Sequence, residues 1–217
     1  MEKRFVVALV AIVVILGGVF WFTKSKENKT STNNNSSQAS ASEHKKGQGT
    51  KGVTLLEYGD LQCPACGKFY PLVKQVKEKY GDDITFQYRH FPLVQIHPNA
   101  MAAARAAEAA GKQNKFWEMH DMMYENQQSW ANGSNATKVF EDFATQLGLN
   151  VDQFKKDTAS SEVVNTVNAD IAAGKKAGAD STPTFVLNGK KIEENPGSVD
   201  GFSKLIDEAI KQKSTAQ

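Results

Sequence analysis

The chain has 217 residues, with 26 Lys and Arg against 24 Asp and Glu, 40% hydrophobic residues and two cysteines, a length for one ordinary domain or two small ones. The formal charge of +2 is unevenly placed: residues 1–51 carry 8 basic and 3 acidic side chains, leaving 18 basic against 21 acidic for residues 52–217. With no basic run longer than a Lys-Lys pair in that second part, no nucleic-acid partner is expected.

The N-terminal segment is not globular. Phe5 to Phe22 is an uncharged run of 18 residues, flanked by Lys3 and Arg4 on one side and by Lys24 and Lys26 on the other. As a helix it would reach about 27 Å, close to the thickness of a bilayer's hydrocarbon core. A cleaved signal has an apolar stretch of about 7–15 residues ending at a small-x-small site. Here the run ends in Val19-Phe20-Trp21-Phe22, and Ala39-Ser40-Ala41 lies too far downstream. The pattern predicts a cytoplasmic tail (1–4) and a transmembrane anchor (5–22), with secretion after signal cleavage as the alternative. Flanking charges nearly balance. The short tail, together with the oxidising compartment that the chain's two cysteines, Cys63 and Cys66, would need in order to form a disulfide, places the bulk of the chain outside the cytoplasm, on a single-pass cell-membrane protein. Residues 23–51, rich in Asn, Ser, Thr, Gln and Lys, are expected to be a disordered linker, because they hold too little apolar surface to offset their ordering entropy.

The folded domain is expected over 52–213, with 214–217 as a tail. Val53 to Tyr58, bounded by Gly52 and Gly59, reads as a buried first strand. Glu57 interrupts it. That carboxylate either points to solvent or lies buried beneath the cysteine pair as a proton acceptor of raised pKa, the reading its position six residues before Cys63 favours. Gln62-Cys63-Pro64-Ala65-Cys66-Gly67 holds both cysteines, C-x-x-C, at the start of a helical pattern over 63–80. A thiol at a helix N-terminus faces unpaired N–H groups and the positive end of the macrodipole, so Cys63 is the candidate attacking sulfur. Pro64 suits the first turn, and Cys66, one turn deeper, is the candidate resolving thiol. A C-x-x-C can also be half a zinc site, but His90, His97 and His120 show no ligand-like spacing to complete one. A purely structural disulfide across so short a loop would stabilise little.

Ile84 to Phe91 alternates at period 2 and reads as a second strand, with His90 as a hydrogen-bonded structural histidine. From about 98 to 178 the pattern is helical throughout. Ala100–Ala110 is stopped by Gly111, Phe116, Met119 and Met123 stripe a second helix, Phe140 and Phe143 a third, Asn150 caps a fourth, and Val163 and Val167 mark a long fifth. Phe185–Leu187 and Lys190–Ile192 flank Asn188-Gly189, a type I′ hairpin signal. Proline at the entrance of such a strand predicts a cis Thr182–Pro183 bond. Ser198 then caps a last helix.

Leu55-Leu56-Glu57-Tyr58-Gly59-Asp60-Leu61-Gln62-Cys63-Pro64-Ala65-Cys66, His97-Pro98-Asn99-Ala100, Lys115-Phe116-Trp117-Glu118-Met119-His120 and Thr182-Pro183-Thr184-Phe185 resemble the DsbA-type thiol-disulfide oxidoreductases, over about residues 52–211. The resemblance implies an α/β thioredoxin-like fold, a central mixed sheet flanked by helices with an inserted helical subdomain. It implies Cys63 as nucleophile, Cys66 as resolving thiol, Glu57 as buried acid, Pro183 packed against the dithiol and Thr182 offering backbone hydrogen bonds to a substrate strand. Pro64 and Ala65 shape the dithiol turn. The implied partners are reduced or unfolded exported proteins and a membrane redox partner that reoxidises the dithiol. No cofactor is expected beyond the Cys63–Cys66 disulfide, and no metal. Strong oxidants of the family carry a histidine where Ala65 stands, and threonine before the cis-proline also occurs in isomerases. Disulfide isomerase, reductase, or a redox-silent chaperone-like module therefore stand as alternatives to a disulfide-introducing oxidase.

Overall fold

Val53–Gly59 (β2) is the strand on which the domain is built, hydrogen-bonded on both sides. Its residues alternate between two faces, as the period of a strand requires. Val53 and Leu55 enter the larger core, Leu56 and Tyr58 a smaller one behind the sheet, and Glu57 shares the face of Val53 and Leu55. The protein is described by a computed structural model over residues 40–215. The expected tail 1–4, the anchor 5–22 and most of the linker lie outside the described residues. Among the described residues, no helix is long and apolar enough to cross a membrane.

Five strands form one mixed sheet in the order β1-β3-β2-β4-β5. These are His44–Lys46 (β1), Val53–Gly59 (β2), Ile84–His90 (β3), Thr184–Leu187 (β4) and Lys190–Lys191 (β5). β2 and β3 run parallel, joined by Pro64–Tyr80 (α1), the crossover that parallel pairing demands. β4 returns antiparallel to β2, with Glu57 opposite Phe185, and turns into β5 at Asn188 and Gly189. Both turn residues have positive φ, 50° and 82°, as a type I′ hairpin requires, and Thr182–Pro183 is cis.

The helical insertion is present. It comprises Ala100–Gly111 (α2), Phe116–Glu125 (α3), Gln127–Trp130 (α4), Ala136–Gln146 (α5), Val151–Ala159 (α6) and Ser161–Lys176 (α7). The predicted stripes are buried: Phe116, Met119 and Met123 on α3, Phe140 and Phe143 on α5, Val163 and Val167 on α7. Asn150 and Ser198 act as caps, accepting from the N–H groups of Gln153 and Gly201. The last helix, Val199–Thr215 (α8), packs with α1 and buries Phe202 and Ile206. It runs two residues into the expected tail.

The linker prediction fails for residues 40–51. β1 pairs antiparallel with the outer edge of β3, His44 opposite Tyr88. Just before it, Ser42 donates through its N–H (2.7 Å) and its hydroxyl (2.6 Å) to the buried Asp170 carboxylate on α7. A three-residue polar strand carries no periodicity to read. It is held by the free hydrogen-bonding edge of β3 rather than by apolar burial of its own.

Candidate active site

The backbone leaves β2 at Gly59, turns through Asp60-Leu61-Gln62 and enters α1 with Cys63 as its N-cap residue and Pro64 in the first turn. Gly59 is required by packing, since a Cβ there would stand 2.5 Å from the Tyr88 ring. The Cys63 N–H donates to the Asp60 carbonyl at 3.0 Å, and the Cys63 carbonyl accepts the first helical hydrogen bond from Gly67 at 3.1 Å. Cys63 therefore begins the helix in extended conformation with the free N–H groups of the first turn around its sulfur.

The two sulfurs differ sharply. Both are free thiols; Cys63 is 7% exposed beside the exposed Pro64 and Ala65, and Cys66 is wholly buried. The Cys66 thiol, with help from Thr182 and the N–H groups of Cys66 and Ala65, outweighs burial and brings the Cys63 pKa down to about 5. Burial first, then the hydrogen bond to Cys63 and the Glu57 charge, push Cys66 well above the usual thiol range. At neutral pH Cys63 is a thiolate and Cys66 a thiol.

Glu57 takes the buried alternative. Burial raises its pKa to about 7, against the pull of Lys77 on α1. The Lys77 ammonium itself lies 5.1 Å from the ring centroids of both Phe86 and Trp117. A carboxyl that is half protonated at neutral pH and couples to Cys66 is suited to exchanging a proton with it. Thr182 and Pro183 are buried, and the Thr182 carbonyl lies 3.5 Å from Cys63 Sγ, which donates to it as a thiol. The residue before the cis-proline thus abuts Cys63.

The three histidines weighed as zinc ligands for the cysteines each face a carboxylate away from the cysteine pair: His97 Nδ1 lies 2.6 Å from Asp60 Oδ2, His120 Nδ1 lies 2.8 Å from Asp121 Oδ1, and His90 Nε2 lies 3.2 Å from Glu108 Oε1. His90 is buried, as a structural histidine would be, and its backbone N–H is held by Asp170, but its Nε2 meets Glu108 outside hydrogen-bond geometry and has no hydrogen-bond partner among the described residues.

A clamp behind the dithiol went unread in the sequence. Asp60 Oδ1 accepts from the Gln62 N–H (2.8 Å), and Oδ2 accepts from the Leu93 N–H (3.0 Å) besides meeting His97. Gln62 Oε1 accepts from the Asn99 N–H and its Nε2 donates to the Ala131 carbonyl, both at 2.6 Å. From α4, Gln127 Nε2 donates to the carbonyls of Leu61 (2.8 Å) and Cys63 (3.0 Å). The helical insertion thereby holds the loop that presents Cys63. Asp60, Gln62, His97 and Asn99 lie in the motifs that carry the family resemblance, but nothing in the local pattern marks Gln127. Beside Pro64 opens a cleft of about 490 Å³ lined by Gln62, Ile96, His97, Asn99 and Gln128, among others.

A family model described as Thioredoxin matches residues 39–208. Among solved structures, the chain superposes on BdbD from Bacillus subtilis in its oxidised form (TM-score 0.68, 22% identity, 77% of this chain and 92% of that one). It also superposes on a thioredoxin-like oxidoreductase from Silicibacter pomeroyi (0.65, 24%, 77% and 92%) and on alpha-DsbA1 from Wolbachia pipientis (0.66, 20%, 76% and 88%). Among curated proteins it is 35% identical over 153 residues to a protein named Na(+)/H(+) antiporter NhaA 1 of Mycolicibacterium gilvum, covering 69% of this chain and 24% of that one. A namesake from Salinispora arenicola matches similarly, so the chain spans about a quarter of the length of the curated relatives it matches. The chain belongs to the thioredoxin family, in the form with an inserted helical subdomain that the DsbA-type thiol-disulfide oxidoreductases share.

Proposed function

We propose that this protein is a membrane-anchored, extracytoplasmic thiol-disulfide oxidoreductase that introduces disulfides into reduced exported proteins. The observation that carries it is the asymmetry across one helical turn, with Cys63 held near pKa 5 at the rim and Cys66 buried well above the thiol range. A disulfide whose released sulfur is so stable as a thiolate is readily reduced, and so oxidises its substrate.

In the oxidising direction a substrate thiolate attacks Cys63 Sγ of the Cys63–Cys66 disulfide. The S–S bond breaks, a mixed disulfide forms, and the Cys66 sulfur departs with the electron pair. Buried and of raised pKa, it takes a proton, which Glu57 is placed to supply. A second substrate thiolate then attacks the substrate sulfur of the mixed disulfide, releasing Cys63 as thiolate. The substrate has lost two electrons and two protons, and the dithiol holds both electrons until a membrane redox partner removes them. The pair itself is the redox carrier, and the mechanism asks for no further cofactor. Thr182, next to the cis-proline, would hold an extended substrate strand by its backbone. Val94 and Ile96, 47% and 69% exposed close to the cleft beside Pro64, suit the apolar side chains of an unfolded chain.

The anchor and the location rest on the uncharged run from Phe5 to Phe22. Antiport is not carried over from the longer relatives, since only a quarter of their length is matched.

Equilibration with glutathione tests the redox direction. A potential well above that of thioredoxin, about −270 mV, is expected, and a value as reducing as that removes the oxidase reading in favour of a reductase. If Cys63→Ser leaves activity on a reduced, unfolded substrate unchanged, the chaperone-like module replaces both. Alkaline extraction of membranes and protease shaving of intact cells test the anchor; release of a shortened chain into the medium means a cleaved signal instead.

A further inference from the structure

Away from the dithiol, three elements converge on one buried point. His44 comes from β1, His90 from the end of β3 and Glu108 from α2. Glu108 Oε1 lies 2.7 Å from His44 Nε2 and 3.2 Å from His90 Nε2, and the three donor atoms all lie within 4.8 Å of one another. Neither cysteine belongs to this group. We propose that His44, His90 and Glu108 form a binding site for a divalent first-row metal of the zinc kind, which ties the N-terminal strand β1 to the domain.

A hydrogen-bonded cluster alone accounts for only half of the arrangement. His44 donates to Glu108 in ordinary geometry, and that bond needs no metal. His90 is different: its ring is 1% exposed, and its Nε2 is aimed at the Glu108 carboxylate from 3.2 Å without a hydrogen bond, leaving a buried nitrogen unpartnered among the described residues. Buried polar atoms are rarely left so. A cation between the two imidazoles and the carboxylate would engage all three donors at once. Ligand atoms about 2.0–2.1 Å from a tetrahedral zinc stand about 3.3 Å apart, so the observed separations require shifts of tenths of an ångström up to about one and a half.

The donor set selects the metal. Two imidazole nitrogens and one carboxylate oxygen suit zinc and its first-row neighbours, whereas calcium and magnesium take oxygen ligands almost exclusively. Three protein ligands leave a fourth position for water. The ligands are also held from outside the group, as metal ligands commonly are. The His44 ring stacks on Phe116 with centroids 3.3 Å apart and planes within 5°, beside Gly111, where a Cβ would lie in van der Waals contact with the His44 ring at 3.4 Å. The His90 N–H donates to Asp170 Oδ2 at 2.9 Å, the same carboxylate that holds Ser42. A metal here would reinforce the attachment of β1, which pairs with β3 over only three residues.

The test uses the full chain in detergent, without a polyhistidine tag, stripped with a chelator and with Cys63–Cys66 oxidised so that no thiolate competes. Titration with zinc chloride is expected to show one site per chain. It should raise Tm by about 5–10 °C at a hundredfold excess over Kd. His44→Ala and Glu108→Gln should each weaken binding about 100-fold or more, and His97→Ala should leave it unchanged. Should Glu108→Gln not fold, His44→Ala decides, because it changes only a short edge strand. Absence of binding to the oxidised chain, or binding that both substitutions leave intact, overturns the proposal. So does binding that appears only after the disulfide is reduced.

Discussion

Two glutamates in this domain are buried alike, Glu57 4% and Glu108 8% exposed, yet one titrates at about 7 and the other at about 2. Burial raises both. Around Glu57 only the Lys77 ammonium opposes it, and burial wins. At Glu108 burial is overcome by the hydrogen bond from His44 and by the neighbouring His90. Contact with a proton-donating ring, not depth, separates a carboxyl poised to trade protons with a thiol from one locked in its charged form. The same contrast explains the sulfurs, where donors stabilise the Cys63 thiolate, while burial first, then the bond to Cys63 and the Glu57 charge, disfavour that of Cys66.

The largest test removes the two sulfurs one at a time. Cys63→Ser should abolish disulfide exchange with a reduced peptide, and Cys66→Ala, its attacking sulfur intact, should accumulate mixed disulfides visible on non-reducing gels. Next, Glu57→Gln should slow exchange roughly 10²-fold near neutrality, the usual scale for a lost acid–base group, and should flatten the pH–rate profile around pH 7.

The two carboxyls should then separate in stability, with opposite signs. Native Glu57 keeps its proton up to about pH 7, whereas the unfolded side chain loses it near 4.5, so stability falls as pH rises across that window. Native Glu108 stays charged down to about pH 2, so its contribution is present above 4.5 and is lost as pH falls towards 2. Each swing is on the order of 3 kcal/mol. Thermal unfolding should show Glu57→Gln losing the decline between pH 4.5 and 7. Glu108→Gln should lower Tm at pH 7 and lose the acid limb. If both substitutions change the profile in the same direction, the contrast between the two carboxyls is wrong.

The smallest effect lies in the clamp. A Cβ at Gly67 would stand 2.4 Å from Gln127 Oε1 and 3.1 Å from its amide carbon. Gly67→Ala should therefore displace the amide that holds the Leu61 and Cys63 carbonyls, costing about 1–2 kcal/mol in chemical denaturation and slowing exchange several-fold. Gln127→Ala should reproduce both effects if the clamp is their cause.

Much of the site was legible in the sequence where the signal is local. The cap position of Cys63, the strand carrying Glu57, the Asn188-Gly189 hairpin, the cis-proline and the inserted helices each follow from neighbours within a few residues. His44-Lys45-Lys46 reads as linker because a polar triplet has no period, and α4 escapes because four residues are too short to show one.

By itself, then, the sequence determined a dithiol at a helix start, a strand carrying an acid just before it and a cis-proline at the entrance of a later strand, since capping, turn chemistry and periodicity act over one or two turns of chain; the proline's place beside the dithiol was implied only by the family resemblance. Only the tertiary structure decided which partners those groups meet. His44 reaches Glu108 across 64 residues, Gln127 reaches Cys63 across 64, and Ser42 reaches Asp170 across 128. Such contacts leave no imprint on local spacing, yet they set the charge of Glu108 and hold the loop that presents the reactive sulfur.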